Sequence, residues 1–181
     1  HHGRQSFASG FCFLNDCVLA ILKAKEFNFK NILYIDIDAH HCDAVQDHFE
    51  NDDSVNIISL HEQNKWPRTG TVNESNIVNI MNIPVPQNFN DSEMSFVVDK
   101  LILPYAKNLK PDLVIVQAGT DCLHDDPQSN MSLSNVAYWQ TVSKLKDISI
   151  KTLILGGGGY NPYITAKAWA GNWLVLNSKE K

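Results

Sequence analysis

The chain has no Lys/Arg cluster; 15 Lys+Arg stand against 20 Asp+Glu, giving a formal net charge of -5 and a pI near 5.7. That balance offers no electrostatic footprint for nucleic acid or for an anionic membrane, so direct nucleic-acid binding is not expected. No apolar run approaches the roughly 20 residues of a membrane span, and the start lacks a charged n-region followed by an apolar h-region. The four cysteines, Cys12, Cys17, Cys42 and Cys122, make no CxxC pair and no zinc-ribbon spacing. They are expected to be reduced, buried, small apolar residues. These absences point to a cytoplasmic home, or a nuclear one in a eukaryote. Internal repeats, low-complexity tracts and interdomain linkers are also missing. What remains is a chain of 181 residues with 44% hydrophobic content, enough for one domain with a sizeable core.

The hydrophobic pattern alternates between short apolar runs and longer helical stretches. Asn15 or Asp16 caps a predicted helix, CVLAILKAKEF, that ends near Asn28. Strands are predicted at Ile32 to Ile35, Val55 to Leu60, LVIVQAGTD and TLILGGGGY, the last running into a glycine turn at Tyr160. Glu62 to Asn76 reads as a polar loop, and Ile83-Pro84-Val85-Pro86 as an extended stretch held by its prolines. A helix should begin at Asn90 to Glu93 and kink or end at Pro104; others should run from about Ser134 to Asp147 and from Asn161 to Leu176. Strands alternating with helices predict an open, mostly parallel α/β sheet with helices on both faces.

One strand end conflicts with its surroundings. In ILYIDIDAHHCD, Asp36, Asp38 and His40 occupy alternate positions, so an extended chain would aim all three to one side. Two unpaired carboxylates beside an apolar strand would be very costly. A lone Asp-x-Asp could simply open onto water. With His40, His41 and Asp43 added, a divalent cation is the economical answer, because it accepts carboxylate oxygen and imidazole nitrogen together.

Open parallel sheets bind ligands outside the carboxyl ends of their strands. Here those ends carry Asp36-x-Asp38-x-His40, Ser59-Leu60-His61, Asp121, and the glycine run Gly156 to Gly159 followed by Tyr160. Converged, Asp38, His40 and Asp121 would supply three ligands and leave one position open, as in catalytic zinc sites; iron(II) would also suit the set. The glycine run lacks the Lys-Ser/Thr of a Walker loop and the spacing of a dinucleotide fingerprint. Its simpler meaning is a turn that lets the backbone approach a ligand and presents the phenol of Tyr160.

Taken together, HH…SGFCFLND, YIDIDAHHCDAVQDHF, ISLH, QAGTD and GGGGYNP resemble the zinc-dependent histone deacetylase family, in its class I-like branch that includes the bacterial acetoin-utilisation deacetylases. The resemblance runs from His1 to about Trp173 and implies an arginase-like α/β fold and hydrolysis of an acetylated lysine or related amine. It makes Asp38, His40 and Asp121 the zinc ligands. His1 and His2 resemble the tandem histidines that act on the attacking water and the leaving amine, His2 being the general base and acid. Asp36 and Asp43 would orient them, and Tyr160 would donate to the acetyl oxygen. Gly10, Phe11, Trp66 and Gly158 would border the slot for the acyl-lysine stem. Asp36, Asp38, His40, Ser59 and Leu60 match a potassium site.

The chain departs from the family pattern in three places. Cys42 and Ala44 replace common glycines, which reads as a packing change, and Gln128 replaces an apolar residue at the substrate entrance. The family's domain begins well before the tandem histidines and usually continues further. Residues 1–181 are therefore expected to be the core of one deacetylase-like catalytic domain, a partial domain whose exposed apolar edges invite association into oligomers. An acetylpolyamine or other small-amide deacetylase, or a non-catalytic acyl-lysine-binding pseudoenzyme, are the alternative functions.

Overall fold

A computed structural model describes residues 1–76 and 78–177. Five parallel strands form one sheet in the order β3-β2-β1-β4-β5. They are β1 (Ile32–Asp36), β2 (Val55–Glu62), β3 (Ile80–Val85), β4 (Leu113–Gln117) and β5 (Thr152–Leu155). Asp36 of β1 lies level with Ser59 of β2 and Gln117 of β4, so the three central strands finish together.

Both faces of the sheet are covered, as their near-continuous apolar sequence requires. Ile32, Tyr34, Val55, Ile57, Leu113 and Ile115 pack on one side against α1 (Asp16–Glu26) and α2 (Asp43–Phe49). The alternate residues Leu33, Ile35, Ile58, Leu60, Val114 and Val116 pack on the other, against α3 (Asp91–Val97), α4 (Leu103–Leu109), α5 (Asn135–Lys146) and α6 (Pro162–Asn177). Period-two alternation thus splits the core into two layers. Asn15 caps α1 by accepting from the Val18 amide at 3.0 Å, and Asn90 with Glu93 forms a capping box on α3; such caps contribute about 1 kcal/mol each.

Several expectations change. The Pro84 stretch is not merely extended: Ile80–Val85 is a fifth strand at one edge of the sheet. An edge tolerates Pro84 because one side of the strand has no ladder partner to serve. Pro104 does not end its helix. Residues Val98–Ile102 form a π-helical segment between α3 and α4, and Pro104 falls in the first turn of α4, where a missing amide hydrogen costs least. The third predicted strand stops at Gln117, so Ala118 to Asp121 form a turn. Cys17, Cys42 and Cys122 are buried, but Cys12 is only half-buried. Large apolar side chains such as Phe13, Leu14, Tyr163 and Trp173 are exposed. Among the described residues, no helix is long and apolar enough to cross a membrane.

Candidate metal centre and active site

In chain order β1, β2 and β3 build outward on one side and β4, β5 on the other, so the order reverses between β1 and β4. A crevice opens at such a switch point. The turn after β1 delivers Asp38 and His40; the turn after β4 delivers Asp121. The chain leaves extended geometry at Asp36, so the three acidic and imidazole groups are not aligned along one strand face. Instead the turn folds around its own carboxylates. Asp36 Oδ1 accepts from the Asp38 amide at 3.0 Å, and Asp38 Oδ1 from the His40 amide at 2.9 Å. Asp121 Oδ1 takes the Ala39 amide at 2.8 Å.

One donor atom each from Asp38, His40 and Asp121 fall within 4.8 Å of one another, and all three residues are buried. His40 Nδ1 lies 3.1 Å from Asp38 Oδ1 and 3.0 Å from Asp121 Oδ2. Two buried carboxylates so close cannot both ionise cheaply. Burial and the charge of Asp38 push Asp121 up to about 7, while burial of Asp38 is outweighed by His1 and His40, which hold it low. His40 resists burial because Asp121 and Asp38 raise it to about 10. A divalent cation between the two carboxylates would relieve this conflict, and the donor set of one imidazole and two carboxylates suits it. The glycines close the cradle. A Cβ at Gly119 would overlap Asp38, and one at Gly158 would overlap Asp121, while the Gly158 amide donates to Asp38 Oδ2 at 2.7 Å. His41 does not join the cluster. It turns the other way, with Nδ1 2.8 Å from Thr69 Oγ1 and Nε2 3.0 Å from Gln46 Oε1.

Beside the cluster stand two histidine-carboxylate pairs. His1 Nδ1 is 2.6 Å from Asp36 Oδ2, and His2 Nδ1 is 2.7 Å from Asp43 Oδ1, with the two imidazole centroids 3.9 Å apart. Burial works against the His1 cation, but Asp36 and Asp38 prevail and raise it to about 10. His2 is lowered, chiefly by burial and by the neighbouring His1. Asp43 accepts the Arg4 guanidinium at 2.6 Å on its second oxygen, and Arg4 also pairs with Asp47. Asp36 Oδ2 takes the Tyr34 hydroxyl at 2.6 Å.

A cavity of about 320 Å³ opens over the cluster, lined by His2, Gly10, Phe11, His40, Trp66, Gln128 and Tyr160. Trp66 meets the His2 ring edge-on at 4.6 Å, and the Phe11 and Tyr160 rings are 6.0 Å apart. Gly10 adopts φ +53°, and a side chain there would run into His2. Burial and the charges of Asp121 and Asp38 raise the Tyr160 phenol, so it stays a hydrogen-bond donor. Ser59 and Leu60 are buried in β2, Ser59 level with Asp36 and with its Oγ 3.0 Å from His61 Nδ1. Cys42 is packed in the core with Cys17 and Tyr34, and its thiol is pushed far up by burial and Asp36. The sequence therefore brought most of the predicted groups to one place. It did not reveal Arg4, Gln117 or Asp126, whose contacts with Asp43, Asp38 and Tyr160 join residues far apart in the chain, nor Tyr34; Arg4, two residues from His2, and Tyr34, two residues before Asp36, were the ones with a positional hint.

The Histone deacetylase domain family matches residues 1–176. Histone deacetylase 8 of Xenopus laevis is 33% identical over 175 residues, covering 93% of this chain and 54% of that protein. Histone deacetylase B of Dictyostelium discoideum is 34% identical over 175 residues, covering 93% of this chain and 41% of its own. The crystal structure of an HDAC homologue from Aquifex aeolicus superposes with a TM-score of 0.92 at 37% identity, covering 99% of this chain and 50% of that one. A structure of an HDAC homologue complexed with SAHA gives a TM-score of 0.93, also at 37% identity, covering 99% of this chain and 50% of that one. The chain thus spans about half the length, or less, of the relatives it matches. Matched along nearly its whole length in sequence and in fold, the chain belongs to the histone deacetylase domain family.

Proposed function

We propose that this chain is the core of a metal-dependent amidohydrolase that removes the acetyl group from acetyl-lysine, or from a related acetylated amine. One observation carries the reading: three metal-donor residues converge, and one of them, His40, lines an aromatic-walled cavity together with His2 of a histidine-carboxylate pair. Asp38, His40 and Asp121 would hold zinc, or iron(II), which polarises an acyl carbonyl and lowers the pKa of water towards about 7.

The protein's own groups supply the rest. Phe11 and Trp66 fit the methylenes of a lysine stem and shed water from it. His2 has Nδ1 turned to Asp43, which leaves Nε2 for the reaction; its lowered pKa keeps it neutral and able to take a proton from the attacking water. Asp43 then stabilises the imidazolium, which returns the proton to the departing amine. Tyr160 donates its phenolic hydrogen to the oxygen on which negative charge develops. The His1 cation, held by Asp36, adds a positive field without serving as the base. Asp36, Asp38, His40, Ser59 and Leu60 would form the potassium site that steadies this strand end from behind. The free cysteines accord with a reducing, cytoplasmic setting.

Gln128 supports a second substrate class. Its exposed amide sits at the mouth of an otherwise aromatic slot, where it can hydrogen-bond a polar amine beyond the acetyl group. A panel of acetyl-lysine peptides and acetylated polyamines distinguishes the two. The function itself is tested by metal analysis joined to a deacetylation assay with a chelator control. Bound metal and chelator-sensitive acetate release are expected. Metal without turnover would favour a non-catalytic acyl-lysine binder, and neither metal nor turnover would sink the site assignment.

A further inference from the structure

We propose that Asp126 is a positioning residue that sets where the Tyr160 phenol stands relative to the cavity entrance. The inference rests on the hydrolase reading above and extends it to a residue outside the reacting groups. Asp126 is 7% exposed, and its carboxylate spends both oxygens on backbone amides of the cavity wall. Oδ2 accepts from the Tyr160 amide at 2.7 Å, and Oδ1 from the Gln128 amide at 2.8 Å. Tyr160 and Gln128 both line the cavity, yet they come from different segments, the turn after β5 and the loop after β4. Asp126 is the link between them.

Local geometry accords with this link. Asp125, immediately before it, adopts φ +68°, a left-handed conformation that costs a non-glycine residue energy and that aspartate tolerates better than most. The bend turns the chain so that the Asp126 carboxylate faces inward while Asp125 faces solvent. A second tie, from Asn161 Nδ2 to the Asp125 carbonyl at 3.4 Å, joins the same two loops. Immediately before Tyr160, Gly159 adopts φ +149°, a conformation open to glycine, and the peptide that follows it donates its amide to Asp126. A charged acceptor on that amide is stronger than a neutral one, and a misplacement of about 1 Å at a reacting group can cost on the order of 100-fold in rate.

The test is a double-mutant cycle in the full-length, metal-loaded protein, with turnover of an acetyl-lysine peptide, metal content and thermal unfolding measured for each variant. Asp126→Asn is expected to lower kcat about tenfold with KM and metal content little changed, and Asp126→Glu to recover part of the loss. In a Tyr160→Phe background the same Asp126→Asn change should cost less than about twofold, because the hydroxyl it positions is already gone. An equal loss in both backgrounds, or no loss in the wild type, would overturn the proposal. Should Asp126→Asn not fold, the Asp126→Glu cycle decides by the same criterion. The functional reading fails separately: there, Tyr160→Phe alone would leave turnover unchanged, or the unmutated protein would show none.

Discussion

His1-Asp36 and His2-Asp43 are the same two side chains at nearly the same separation, 2.6 and 2.7 Å, but they are driven in opposite directions. His1 rises to about 10, and His2 falls below its ordinary value. The pair itself cannot explain this, so the surroundings must. His1 is buried and faces two acids, Asp36 and, at 3.6 Å, Asp38. His2 faces one acid whose second oxygen already belongs to Arg4, and it looks onto the positive ring of His1. A histidine-carboxylate pair is therefore no fixed unit of basicity; what surrounds it, further acids for His1, burial and a neighbouring cationic ring for His2, decides whether the imidazole holds its proton or gives it up.

The comparison is broken most directly by deleting each ring. His2→Ala should lower turnover on the order of 10²- to 10⁴-fold, as loss of a general base does, and His1→Ala should cost at least about tenfold less, because a field is lost but not the base. Equal losses in steady-state kinetics would end the division of roles. Tyr160→Phe acts on the opposite wall from both histidines and should cost on the order of 100-fold in kcat with metal retained, as read by elemental analysis.

Gly158→Ala addresses the floor that the two pairs share. The added Cβ overlaps Asp121 and crowds the amide that holds Asp38. Metal affinity should fall by about 10- to 100-fold, measured by competition with a chelator, without altering which histidine dominates.

The smallest effect, and the sharpest for the comparison, belongs to Arg4→Gln. His2 must be neutral to accept a proton, so activity should be lost as pH falls through its pKa, below about 6.5. Freed from Arg4, Asp43 would hold the His2 proton more tightly, and that acid limb should move to higher pH by up to about one unit. At higher pH the rate should be nearly unchanged. A pH-rate profile that stays in place would mean that Arg4 is not what separates the two pairs.

Most of the site was legible because its residues carry chemistry that has no use inside an apolar sheet. Asp36, Asp38, His40 and Asp121 sit directly after buried strands, and burying charge there demands a partner. What escaped notice is equally informative. Ile80–Val85 escaped as a strand because its prolines mask β character that an edge position permits, and Pro104 escaped because a π segment ahead of it moves the proline into a first turn. Arg4 and Asp126 carry ordinary surface residue types, and only their distant contacts give them weight.

By itself, then, the sequence determined the alternation of strands and helices, the two-layered core and the donor chemistry at the strand ends, since each depends on periodicity and on residue type. The tertiary structure alone decided which of the tandem histidines is kept neutral, that His41 turns away from the metal cluster, and that one carboxylate, Asp126, joins two walls of the cavity. Those outcomes depend on distances between residues tens of positions apart in the chain. Electrostatic effects among buried groups change steeply over such distances, and no local pattern encodes them.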